Sequence, residues 1–118
     1  FLLTHGDRIG SRGGQGFIGP IATMIRGVKK TRDAYATMNK LIDWVLLGHF
    51  HTSAMGPGFI ANGSLPGYGE YAKALKAVPE APRQTLFFVN RKYGLNEYRS
   101  IILSDQSTAH AEWFESAA

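Results

Sequence analysis

The stretch Leu46-Leu-Gly-His-Phe-His-Thr52 places two of the chain's four histidines one residue apart, directly after an apolar run and a glycine. Alternate side chains of an extended backbone point the same way, so His49 and His51 are expected to present both imidazoles to one face, about 6.6 Å apart along the strand. That spacing suits the capture of a cation. The residues on either side of the stretch decide which sheet would carry it.

Trp44 to Leu47 reads as a strand, and so does the apolar run Phe1 to Thr4, which lacks alternation and is therefore expected to be covered on both faces. Between them lies a glycine-rich loop from His5 to Gly16. After the loop, Ile18, Ile21, Met24, Ile25 and Val28 recur at helical spacing, with Pro20 in the first turn, so a helix is expected over 19–30. Tyr35, Met38, Leu41 and Ile42 continue at threes and fours, predicting a second helix from 32 to 41 or 42. Strand, helical crossover, strand is the order that produces parallel neighbours in an α/β sheet. His5 and His49 would then lie at the carboxyl ends of adjacent strands, the edge where such sheets bind ligands, with His51 joining them.

Further along, 58–61 reads as a strand ended by the turn signal Asn62-Gly63, and 69–78 as a short helix closed by Pro79 and Pro82. Thr85 to Val89 and Tyr98 to Leu103 are β-rich and separated by a segment containing Gly94, which predicts an antiparallel hairpin. No repeat, low-complexity tract or linker interrupts the chain.

With 118 residues the chain suffices for one compact domain and not two. Hydrophobic residues at 44% and charged residues at 19% exclude a disordered or coiled-coil chain. No apolar run approaches membrane-spanning length and no signal-peptide pattern opens the sequence, so a soluble, cytoplasmic protein is expected. Cysteine is absent, which rules out disulfides and thiolate ligands and leaves imidazole, carboxylate, amide or water for any metal. The net charge of +4 is uneven: through Arg32, six basic residues (Arg8, Arg12, Arg26, Lys29, Lys30 and Arg32) face Asp7 alone. Such a flank favours anionic partners, phosphates or nucleic acid, although a solvated helix face explains six charges as well.

Thr4-His5-Gly6-Asp7 and Gly48-His49-Phe50-His51, joined by a helical crossover, resemble the last two motifs of the calcineurin-like metallophosphoesterases, and Ile60-Ala-Asn-Gly-Ser64 is similar to the strand and turn that follow in many members. The resemblance covers about the first two thirds of the chain. It implies half of a two-sheet αββα sandwich, parallel strands first and an antiparallel hairpin last. It implies His5 and His49 as ligands of one metal and His51 as ligand of another, in a centre of two divalent transition ions (manganese, zinc, iron or nickel) that hydrolyses a phosphate mono- or diester. Asp7 stands where many members have a second histidine and is read as a carboxylate that orients an imidazole from behind. Arg8 and Arg12 are candidates to hold the substrate phosphate.

The family's earlier motifs, D-x-H, G-D-x-x-D and G-N-H-E or G-N-H-D, do not occur in these residues. Two cations held close together repel without a bridging carboxylate. Residues 1–118 are therefore expected to be the carboxyl-terminal portion of a longer hydrolase, inactive in isolation and prone to pair with copies of itself through exposed strand edges. No catalytic acid or base can be named within them. Nuclease and small-molecule phosphodiesterase activity are not separated by the sequence. The competing reading is a non-catalytic, basic nucleic-acid-binding module with vestigial histidines. Elsewhere the ordinary readings prevail: His110 as a surface histidine, the glycine loop as a connector, and Tyr68, Tyr71, Phe87, Phe88, Trp113 and Phe114 as core aromatics.

Overall fold

The computed structural model describes residues 1–9, 19–74 and 79–104, and within these the side chains of residues 19, 71 and 72 are excepted. Arg12, His110, Trp113, Phe114 and most of the glycine loop lie outside the described residues. The chain is a mixed α/β structure. Strands β1 (Leu2–Thr4), β2 (Val45–Leu47), β3 (Ala54–Gly56) and β4 (Phe59–Ala61) form one sheet in the order β1-β2-β4-β3, and β5 (Arg83–Asn90) and β6 (Gly94–Ile102) form a separate antiparallel hairpin. Helix α1 (Gly19–Thr37) crosses from β1 to β2, and the short α2 (Glu70–Ala74) precedes the hairpin. No helix among the described residues is long and apolar enough to cross a membrane.

The parallel core of the sheet follows from the crossover. Leu2, Leu3 and Thr4 pair with Val45, Leu46 and Leu47, which pair in turn with Phe59, Ile60 and Ala61. Alternation then sends Leu2, Val45, Leu47, Phe59 and Ala61 to one face, where they meet Met24 and Val28 of α1 together with Ile9. Gly27 lets the Ile9 segment lie directly on the helix: a Cβ at that position would run into the Ile9 carbonyl and Cγ2.

The expected break between two helices does not exist. Nothing from Lys29 to Arg32 opposes helix formation, and the Lys29–Asp33 ion pair, 2.8 Å, spans the joint at helical i,i+4 spacing. The helix ends instead at Thr37, and just beyond it Asn39 adopts φ 57° while Lys40 N–H donates to Tyr35 O and Asn39 N–H to Ala36 O. These are the two hydrogen bonds of a left-handed C-terminal cap, in which asparagine often replaces glycine.

Two further expectations need correction. Among the described residues strand β1 is not covered on both faces: Leu3 is 80% exposed, because the helix side of the sheet takes Leu2 and no described segment of comparable extent overlies β1 on the other side. And β3, not expected from the sequence, pairs antiparallel with β4 through the turn at Pro57-Gly58. A Pro-Gly dipeptide is the signal that marks it.

The hairpin is longer than its β-rich runs suggest. Its turn is Arg91-Lys92-Tyr93, closed by Gly94 at φ 71°, a three-residue loop ending in a left-handed residue that glycine adopts without strain. Asn90 Oδ1 accepts hydrogen bonds from the Lys92 and Tyr93 amides and fixes this tip. At its other end the hairpin is tied to the sheet. Asn62 Nδ2 donates to Gln84 Oε1 at 2.6 Å, and Asn62 Oδ1 accepts from the Thr85 amide at 2.8 Å. Phe87 stacks on Phe1 with ring centroids 6.1 Å apart.

Candidate functional site

The carboxyl edge of the parallel strands brings together two of the histidines that the sequence singled out. His5 follows β1 and His49 follows β2 after Gly48. Pairing continues one step past the strands, since Gly48 N–H donates to His5 O at 3.1 Å. That hydrogen bond, an outcome of the parallel register, draws the two imidazoles together: their ring centroids are 5.2 Å apart and the rings stand edge to face at 70°. Phe50 closes the far side of His49 at 5.5 Å.

The segment carrying His49 and His51 is not an extended strand. His49 has φ 64° and His51 φ 52°, so the chain coils through two left-handed residues with Phe50 N–H donating to Gly48 O at 2.7 Å. The period-two argument for a common face therefore does not apply to this pair. Histidine enters the left-handed region more readily than most residues, yet two such residues within three positions store strain on the order of 1–3 kcal/mol each. Backbone of this kind persists where the surroundings over-determine it, and it clusters at ligand-holding sites. His49 Nδ1 is also buried without a hydrogen-bond partner. A buried polar atom left unpaired is costly, and metal coordination is one way to satisfy an imidazole nitrogen.

Gly6 makes the juxtaposition feasible. It has φ 99°, and a Cβ there would come within 3.2 Å of the Gly48 carbonyl and 3.5 Å of the His49 Cβ. Gly6→Ala is expected to cost on the order of 1–3 kcal/mol through backbone strain and to push β1 from β2 at the imidazoles. Thermal unfolding would register the loss, and an unchanged midpoint would show that the edge is not packed as described.

An open groove of about 460 Å³ leads away from this edge between the outer face of the sheet and the hairpin. Its rim carries His5, Gly48 and Asn62, its floor Leu3, Leu46 and Ile60, and its wall Thr85 and Phe87. The hydroxyl oxygen of Thr85 is buried there without a partner. Asn62 thus acts as the clasp between sheet and hairpin, a role that the Asn-Gly turn signal did not reveal. Glu80 has a similar part close by, where its Oε1 accepts from the Ser53 amide at 2.7 Å and Oε2 lies 3.7 Å from Arg83 Nε.

The remaining candidates are placed as follows. Asp7 and Arg8 are exposed, and Asp7 makes no hydrogen bond to His5 or His49 among the described residues, so the expected orienting contact is not formed there. His51 is half-buried and engaged in an interaction of its own. Among the described residues, no three His, Cys, Asp or Glu side chains form a group that could hold a metal ion, so the structure supplies a histidine pair and not the convergent trio expected from the sequence. The basic flank is partly neutralised by the Lys29–Asp33 pair, and Arg32 keeps its charge while its Nε donates to Ile42 O at 2.9 Å.

Comparison with protein-family models, with curated proteins and with solved structures returned no match for this chain.

Proposed function

We propose that this chain forms part of a metal-dependent phosphoesterase, in which His5 and His49 hold one divalent ion, His51 contributes to a second, and residues outside these 118 supply the bridging carboxylate. The observation that carries the reading is the His5–His49 pair at the carboxyl edge, with rings 5.2 Å apart and the buried Nδ1 of His49 unpartnered. Imidazole ligands suit manganese, zinc, iron or nickel. A bound ion pair would polarise the phosphoryl oxygen and lower the pKa of a water. The chain's own contribution is positional: the Gly48–His5 hydrogen bond and Phe50 hold the imidazoles, and the groove beside them admits an ester substrate.

The finer architecture belongs to the same proposal. Ile60 is buried where the hairpin overlies it, whereas Leu3 at the sheet edge stays open. A second sheet extended beyond the hairpin across β1, built from the rest of a longer enzyme, would complete a two-sheet sandwich and cover Leu3 and Leu46. The competing reading, a non-catalytic nucleic-acid-binding module, draws its support from the incomplete ligand set.

Metal analysis separates the two. A protein containing this sequence, purified without chelator, is expected to carry close to two transition ions per chain and to hydrolyse a phosphodiester until chelation abolishes turnover. A metal-free preparation that manganese neither occupies nor activates would eliminate the enzymatic reading.

A further inference from the structure

The hairpin tip is the other concentration of unexplained chemistry. Between Glu80 and Glu97 the chain holds Arg83, Arg91 and Lys92 and no acidic residue. The nearest acid along β6 is already engaged: Glu97 Oε1 accepts from both Nε and Nη2 of Arg99, at 2.8 and 2.5 Å. Arg91 and Lys92 therefore sit exposed at the turn with no acidic partner among the described residues. Beside them Tyr93 is 68% exposed, with Lys92 Nζ 5.1 Å from its ring centroid, and Val89 is also exposed. Asn90 caps the turn by accepting from the Lys92 and Tyr93 amides, so these side chains project from a hydrogen-bonded tip.

We infer that this tip binds single-stranded nucleic acid, Tyr93 stacking on an unpaired base while Arg91 and Lys92 contact the flanking phosphates. Stacking on an exposed aromatic next to cations is the general means by which proteins hold single strands without reading sequence. The alternative of an anionic membrane fits less well, because the outermost residues, Arg91 and Lys92, are charged and the apolar Val89 and Phe88 lie behind them on the strand. Insertion would carry the charges into the bilayer first. A duplex would offer phosphates but no open base for Tyr93. The tip also stands apart from the imidazoles: β5 runs from Thr85 at Asn62, beside the histidine edge, past Phe87 at Phe1, toward the opposite end of the sheet. The inference thus does not depend on the metal chemistry.

The test is fluorescence anisotropy of a labelled 20-nucleotide oligothymidylate with the protein in EDTA, across a salt series. Binding is expected to weaken about tenfold or more in Arg91→Glu/Lys92→Glu, and the log–log salt slope to fall by about 1.4, corresponding to two lost phosphate contacts. Tyr93→Ala is expected to weaken binding about fivefold or more with the slope unchanged. Arg91→Lys/Lys92→Arg should retain binding, because it keeps both charges at the tip, and an unchanged thermal midpoint in Arg91→Glu/Lys92→Glu should exclude misfolding as the cause of the loss. Oligonucleotide binding indifferent to all tip variants would overturn the assignment. So would tip-dependent binding to phosphatidylserine vesicles without oligonucleotide binding, or a duplex bound as tightly as the single strand with no effect of Tyr93→Ala.

Discussion

Replacing His49 by asparagine in a protein that contains this sequence is expected to lower metal affinity and phosphodiester hydrolysis by about a hundredfold or more. The scale follows from a comparison: removing a residue that merely orients a metal-bound histidine costs 10–100-fold, and loss of a ligand costs no less. Asparagine is the informative substitution because His49 sits at φ 64°, a conformation that asparagine tolerates and alanine resists. His49→Ala would combine the loss of a ligand with backbone strain on the order of 1–2 kcal/mol. If His49→Asn keeps its metals and its turnover, the imidazole pair is a packing feature and the proposed centre does not exist.

Phe59→Ala carries the largest expected loss of stability. Phe59 is 1% exposed and lies on β4 opposite Val45, at the middle of the layer that α1 covers. Truncating a buried phenylalanine typically removes about 3–5 kcal/mol, through lost transfer free energy and the cavity left behind. A domain of this size has a total of about 5–15 kcal/mol, so the variant should be close to unfolded at growth temperature. Phe59→Leu, which keeps most of the volume, should lose far less and is the variant to follow by urea unfolding. A difference between the two variants below about 1 kcal/mol would contradict a close-packed core at this position.

Much of the architecture was legible because the chain states it locally. Apolar runs ended by histidine or by Asn-Gly marked β1, β2 and β4, and the length of the crossover made β1 and β2 parallel, whereas the parallel pairing of β4 with β2 came from the structure. The β-rich runs around Gly94 marked the hairpin. What escaped was set by tertiary context. The continuity of α1 was hidden because Tyr35 and Met38 resume an apolar spacing that resembles a new helix, whereas the helix runs unbroken to Thr37 and is capped at Asn39. The exposure of Leu3 could not be read from an apolar strand, since sequence reports what a residue prefers and not whether a partner layer is present. At the site, the histidine edge was legible from strand ends. The left-handed turn through His49 and His51 was not, because alternation is a property of strands and the strand had already ended at Leu47. The Asn62 clasp depends on Gln84 and Thr85, residues from another sheet, and no local pattern encodes it.

The Asn62 clasp has a kinetic corollary. The β5–β6 ribbon closes over a short loop, so it can assemble early, on the microsecond timescale typical of hairpins. The pairing of Leu2 with Val45 must wait until the whole of α1 and its preceding loop have been spanned, a closure of high contact order that is correspondingly slow. Asn62 directly follows the last parallel strand to be synthesised, and its side-chain amide makes two hydrogen bonds to the ribbon. Late docking of a preformed ribbon onto β4 would thus register the slow sheet against the fast one, making residue 62 a checkpoint in assembly as well as a tether in the finished molecule.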